Sequence, residues 1–370
     1  MADYREGAVP AQIPKRRPST RPPRRGFDNP PGSACGRMTP ASTGSAASGA
    51  RQNDMARILV ISYSQTGQLE RVTRAVLSPL VGDPGFNVVQ ERLAPQMPYP
   101  FPWGFLDFFN TFPETVHLDA PPLKPVAFDP DAHYDLVILA YTVWFLSPAL
   151  PITAFLKSPS ARVLNGRPVI TLIACRNMWL SAQETVKELL AARGARLIDN
   201  VVLIDQGPTW ATFVTTPRWL LTGKKDGFWG VFPPAGVSEQ TIAASARFGR
   251  ALRDARHLIE SGATGPLLSG LAAVKVNPGY IASEKLGKRS FLIWGRLLRA
   301  LGGTDSVARR VVLIVYILFL VTLILTVVPM GVLLRRLLRP LTRARIEREV
   351  ARLEAPSGAG VERLALYSQN

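Results

Sequence analysis

Ile58-Leu59-Val60-Ile61-Ser62-Tyr63-Ser64-Gln65-Thr66-Gly67-Gln68-Leu69 is the stretch on which the fold turns. Residues 58–62 read as a buried strand. A short loop of hydroxyls and glycine follows, and a helical pattern starts at once, with Leu69, Val72, Val76 and Leu80 on one face over 68–80. In an open α/β sheet such a loop lies at the carboxyl end of its strand, where ligands bind. Ser64 and Thr66 carry hydroxyl donors, Gly67 admits close backbone approach, and the free N–H groups of the helix start favour an anion. The loop has no Lys, so it is not a nucleoside-triphosphate loop, and it lacks the glycine spacing of a dinucleotide site.

Outward from this stretch, strand and helix patterns alternate. Strands are expected at 86–93, 134–140, 168–174 and 196–204, and helices at 152–157, 181–193 and 238–261. Gly194 stops the second of these helices and Ser238 caps the third. The pattern predicts an α/β fold, a doubly wound five-stranded parallel sheet. Two long insertions interrupt it. Residues 94–131 hold Tyr99, Phe101, Trp103, Phe105, Phe108, Phe109 and Phe112; residues 206–237 hold Trp210, Trp219, Phe228, Trp229 and Phe232. Loops this long are usually functional or disordered, and aromatic content argues for order. They read equally as a satellite hydrophobic cluster or as a lid over an apolar substrate.

The strand, Ser-x-Thr-Gly loop and helix resemble the phosphate loop of flavodoxins and related FMN-dependent reductases. Leu69 departs from that pattern, since flavodoxins commonly carry a further Thr there. Two more loops extend the resemblance. Tyr141-Thr142-Val143-Trp144-Phe145-Leu146-Ser147-Pro148 resembles the loop that runs beside the isoalloxazine ring, and Cys175-Arg176-Asn177-Met178-Trp179 stands where flavodoxin-like proteins close around it. A flat apolar ring needs aromatic faces and backbone donors at its edge. The resemblance therefore implies a flavodoxin-like fold that binds FMN through Ser64, Gln65, Thr66, Gly67 and Gln68, through Thr142, Val143, Trp144 and Phe145, and through Cys175, Arg176 and Asn177.

Residues 57–308 also resemble a narrower family, the dialkylresorcinol condensing enzymes. The matching runs include Pro98-Tyr99-Pro100-Phe101-Pro102-Trp103, Thr111-Phe112-Pro113-Glu114-Thr115-Val116, Leu221-Thr222-Gly223-Lys224-Lys225 and Pro233-Pro234-Ala235-Gly236-Val237-Ser238. That family works beside a ketosynthase, and the implied role is aromatisation of a cyclohexane-1,3-dione to a resorcinol. Carbon–carbon condensation itself would need a nucleophilic Cys with His or Asn partners, and no such context surrounds Cys175. Dehydrogenation needs a hydride acceptor and a base. The sequence assigns no base; Tyr141, His117, Cys175 and Lys224 are the candidates. Lys224 and Lys225 could instead hold a nicotinamide phosphate, which keeps NAD(P)H as a candidate co-substrate. Two other readings stand beside this one: a membrane-bound FMN-dependent NAD(P)H:quinone-type reductase, and a flavin electron-transfer or scaffold protein without a substrate of its own.

The 370 residues carry 44 Lys and Arg against 27 Asp and Glu, a formal charge of +17. The excess sits in the Pro/Arg-rich start and around an uncharged apolar run at 311–334, bracketed by Arg309-Arg310 and Arg335-Arg336. This placement favours membrane lipid over nucleic acid as the partner. The run is long enough to span a bilayer. FMN chemistry and a ketosynthase partner imply an α/β domain on the cytoplasmic face of the inner membrane. Yet the Arg-rich residues beyond the run would keep both flanks on one side, and Pro329 and Gly331 permit a re-entrant path. Two cysteines and three scattered histidines argue against a disulfide framework and a metal site. The expected organisation is a disordered extension over 1–54, with Met55 a candidate start of translation, an FMN domain over 55–262, an interfacial segment over 263–310, a transmembrane or re-entrant helix over 311–334, and a basic tail over 335–370.

Overall fold

Five apolar runs form the strands β1 (Ala56–Ser62), β2 (Phe86–Arg92), β3 (Leu136–Tyr141), β4 (Pro168–Cys175) and β5 (Arg196–Ile204) in a computed structural model that describes residues 55–367. The expected extension over 1–54 lies outside the described residues. All neighbouring strands are parallel, in the order β2-β1-β3-β4-β5. This is the flavodoxin-like doubly wound arrangement, whose order reverses between β1 and β3. Every residue of β3 and β4 is buried, as expected of strands covered on both faces. Helix α1 (Gln68–Leu77) buries Leu69, Val72 and Val76 of the anticipated stripe and also Leu77, while Leu80, expected in the same helix, is buried just beyond its end.

The insertions fold. The first forms α2 (Phe105–Asn110) and α3 (Phe112–Val116). Helices α4 (Leu150–Lys157) and α5 (Leu180–Ala192) follow β3 and β4. The second insertion forms α6 (Thr209–Thr222), with Pro217 inside it. The helix expected over 238–261 is three helices: α7 (Glu239–Ala244), α8 (Ala246–Asp254) and α9 (Arg256–Glu260). Ser238 does cap the first, accepting from Thr241 N at 3.2 Å. The break at Ser245 has a local cause: its buried hydroxyl donates to Ile242 O and competes for a backbone acceptor of the helix.

The boundary expected at 262 moves. Leu267, Leu268, Leu271, Ala273, Val274 and Val276 join the main core, and Val202 N of β5 donates to Ala273 O at 2.9 Å. Helix α10 (Pro278–Ala300) then crosses from α5 to α3. Helix α11 (Val307–Glu354) contains Val307–Thr326, which is long and apolar enough to cross a membrane. The final residues are more than a basic tail. Leu353 is buried in the main core, and the Ser357 hydroxyl donates to Asp199 Oδ1 and accepts from Asn200 N, both at 2.7 Å.

Candidate functional site

A cleft opens at the carboxyl ends of β1, β3 and β4. Ser64, Gln65, Thr66 and Gln68 line it from the first loop, Thr142, Val143, Trp144 and Phe145 from the second, and Cys175 and Arg176 from the third. Three loops distant in sequence thus converge on one cleft. Gly67 and Asn177 are not among the residues that line the cleft. Gly67 is the α1 N-cap, held at φ 77°, and Asn177 faces a neighbouring cavity.

The first loop leaves α1 uncapped by any side chain. Thr66 Oγ1 accepts only a long 3.4 Å bond from Gln68 N. A Cβ on Gly67 would meet nothing within 4 Å, so the space before the helix is open. Ser64 Oγ is buried and unpartnered. Across the cleft, Thr216 Oγ1 and Arg176 Nη2 are also buried without partners. Arg176 is held by Nε–H donating to Thr212 Oγ1 at 2.9 Å and by stacking over Phe213, 4.0 Å from the ring centroid. Burial lowers its pKa. Buried donors without acceptors are costly, so this set suits an acceptor-rich ligand. Leu69 is buried in the core and lines the cleft with an apolar side chain that offers no hydroxyl.

Two loop glutamines serve the insertions. Gln65 Nε2 donates to Pro100 O at 2.6 Å, and Gln68 Oε1 accepts from Val237 N at 2.8 Å. Both insertions are therefore tied to the phosphate-type loop. Asp205, unforeseen from the sequence, closes the second insertion at both ends, with Oδ1 accepting from Gly207 N at 2.7 Å and Oδ2 from Gly236 N at 2.6 Å.

The aromatic wall has a feature that the linear pattern does not announce. Trp144 and Ser147 pair across a two-residue turn whose central residues, Phe145 and Leu146, have φ of 47° and 58°. Positive φ at both positions is the type I′ pattern, which usually takes Asn and Gly. For ordinary residues it costs roughly 1–2 kcal/mol each. The turn separates two neighbouring rings. Trp144 sits among Tyr63, Tyr99 and Trp103, at centroid distances of 5.9, 5.0 and 5.9 Å, with near-perpendicular planes. Phe145 packs on Phe108 at 4.9 Å and Phe112 at 5.8 Å. Phe112 continues to Tyr316 of α11 at 4.8 Å and Phe291 of α10 at 5.6 Å. A seam of rings thus joins the cleft to the apolar helix. The first insertion provides the satellite cluster and a wall of the cleft together.

None of the four suggested bases is placed to act as one. Tyr141 is fully buried, donates to Gln183 Oε1, and burial raises its pKa. Cys175 lines the cleft, but burial pushes its thiol far above the ordinary range. His117 bonds Leu292 O on α10, and Lys224 is exposed beyond α6. Lys225, which had been a phosphate candidate, pairs with Glu239 at 3.5 Å. The titratable group that stands out is Glu284 of α10. It is 1% exposed, accepts from Ser181 N at 3.0 Å, and its Oε1 has no partner. Burial raises its pKa to about 7. It lines the neighbouring cavity with Asn177, Tyr280 and Asp205.

No protein-family model matches the chain, and no curated protein matches it. Solved structures are similar in part. A flavoprotein in complex with FMN from Lactobacillus acidophilus is 14% identical, covering 40% of this chain and 93% of that one with a TM-score of 0.33. An oxidoreductase from Corynebacterium diphtheriae is 15% identical, covering 56% and 99%, with a TM-score of 0.28.

Proposed function

We propose that this chain is a membrane-attached, FMN-dependent oxidoreductase that oxidises a dialkyl cyclohexane-1,3-dione to a dialkylresorcinol beside a ketosynthase. The observation that carries the reading is the cleft at the sheet's switch point, where unpartnered donors lie on one side and an aromatic wall on the other. Ser64 and the uncapped start of α1 would hold the FMN phosphate. Trp144 and Phe145 would flank the ring system, and Arg176 would donate to its polar edge. Bound FMN supplies a two-electron acceptor; the ring loses one hydride and one proton on becoming aromatic. The seam through Phe145, Phe112 and Tyr316 suits long alkyl chains drawn from lipid, and so favours an apolar substrate over a soluble partner protein.

The test is an absorbance spectrum of detergent-purified protein, then anaerobic titration with a 2,5-dialkylcyclohexane-1,3-dione. Yellow protein bleached by the dione supports the reading. Yellow protein bleached by NAD(P)H, inert to the dione and active on quinones, would make it a quinone-type reductase. Flavin reduced only by a partner flavoprotein would indicate an electron carrier. Colourless protein that takes up no FMN would remove all three.

A further inference from the structure

The apolar segment leaves the α/β domain and the chain returns to the same domain. At its start, Arg309 is 1% exposed and forms a bidentate pair with Glu114 of α3 at 2.7 and 2.8 Å, while its Nη2 also donates to Asn110 O at 2.7 Å. Tyr316 packs on Trp294 of α10 at 5.0 Å. At its far end, Glu349 pairs with Lys285 of the same α10 at 2.9 Å, and Arg352 with Glu184 of α5 at 2.7 Å. Trp294 and Lys285 lie about 14 Å apart along their helix, whereas a straight helix from Tyr316 to Glu349 would measure about 50 Å. Side chains cannot bridge that difference, so α11 bends between these contacts. Pro329, Gly331 and Pro340 lie in the interval.

The residues beyond α11 are part of the fold. Ser357 is buried against Asp199 and Asn200 of β5. Ala272 N donates to Gly360 O at 2.7 Å, and Arg363 N to Gly270 O at 2.9 Å. A single crossing would put these residues on the opposite side of a bilayer from their partners. A second crossing would have to be made by 335–354, which carries Arg335, Arg336, Arg339, Arg343, Arg345, Arg348 and Arg352; charged side chains at that density are excluded from hydrocarbon. Val311, Ile314, Val315, Leu318, Val321 and Leu325 fall on one face of α11 by their spacing and, like Ile293 of α10, are 47% exposed or more.

Resting on the membrane attachment proposed above, we infer that the segment is monotopic: it enters one leaflet, bends, and returns, with residues 341–367 on the same face of the membrane as the α/β domain. The occupant of the exposed apolar face is a lipid leaflet.

Full-length variants carrying Val81→Cys on the α/β domain or Leu366→Cys near the end, each with Cys35→Ser, test this with a membrane-impermeant maleimide. Both introduced positions replace exposed residues, and Cys175 is buried. Vesicle flotation first asks whether the protein is on the membrane. Labelling of both variants in sealed inverted vesicles, with loss of both signals in intact spheroplasts, is the expected result. Labelling of the two from opposite faces overturns the topology while leaving membrane attachment intact. Protein that fails to float with vesicles removes the attachment and the inference with it, whatever the colour of the protein.

Discussion

Ser64 and Glu284 are both buried polar residues, and only the first was legible in the sequence. Ser64 stands in a loop whose composition points to an anion. Glu284 is one acid in the middle of a long helix, and only the docking of α10 on α5 buries it. Replacing Ser64 with Ala removes one donor to a charged group, an interaction worth about 1.5–3 kcal/mol; FMN affinity should fall about tenfold or more by fluorescence titration, with the thermal midpoint of the FMN-free protein unchanged or higher. Glu284 makes a pH prediction. Its folded pKa of about 7 exceeds the ordinary 4.5, so its contribution to stability is complete below about pH 4.5 and is lost as pH rises through 7. The loss approaches about 3 kcal/mol. Glu284→Gln should match the wild type at pH 5 and exceed it at pH 8 in denaturant midpoint. Equal midpoints at pH 8 would mean that the carboxylate ionises freely there.

At the scale of elements, the five strands and the first helix were readable because their signal is local. Short apolar runs for the strands, a 3.6-residue period for the helix and one glycine-bearing loop set them. The turn at Phe145-Leu146 was not, because neither residue advertises positive φ; packing on Phe108, Phe112 and Phe291 overrides backbone preference there. The broken helix over 239–260 shows the same limit. Its apolar period runs through Ser245, and nothing in that period reveals that the hydroxyl bonds inward. Helix α8 also contains Gly249, where a Cβ would lie 1.9 Å from Val76 O and 2.7 Å from Pro79 Cδ. The glycine sets how closely α8 approaches the end of α1. Gly249→Ala should separate the two helices and cost about 1–3 kcal/mol, read as a lower urea midpoint. If the midpoint were unchanged, α8 could shift without loss, and close approach would not be its function.

At the scale of the molecule, residues from the expected interfacial segment over 263–310 and basic tail over 335–370, among them Leu267, Val274 and Leu353, pack in the main core. Their signal is weak in sequence because they contribute single side chains and backbone bonds to a core built elsewhere. Asp199 is the anchor. It follows a bulge in β5, where the register against β4 shifts by one residue, and its carboxylate accepts from Leu267 N at 2.7 Å as well as from Ser357. Burial raises its pKa to about 6, so this carboxylate too favours the folded state less as pH rises through 6. Ser357→Ala removes one of its donors and leaves Asn200 N without a partner, which costs about 1–3 kcal/mol. The loss should be larger at pH 8 than at pH 5, because the anion then loses a bond that the neutral acid needs less. A pH-independent loss would assign the effect to Asn200 N alone.

The bond between Ser357 and Asp199 spans 158 residues, and the apolar segment lies between them. During synthesis the sheet and the segment leave the ribosome before the residues that complete the β5 edge. Under the membrane attachment proposed above, the segment would meet lipid while the domain that carries it is still open at one side. Closure of that edge waits for the chain around residue 357 to emerge. A chain stalled before Ser357 would carry an incomplete sheet edge, the state most exposed to proteolysis or to pairing with another chain.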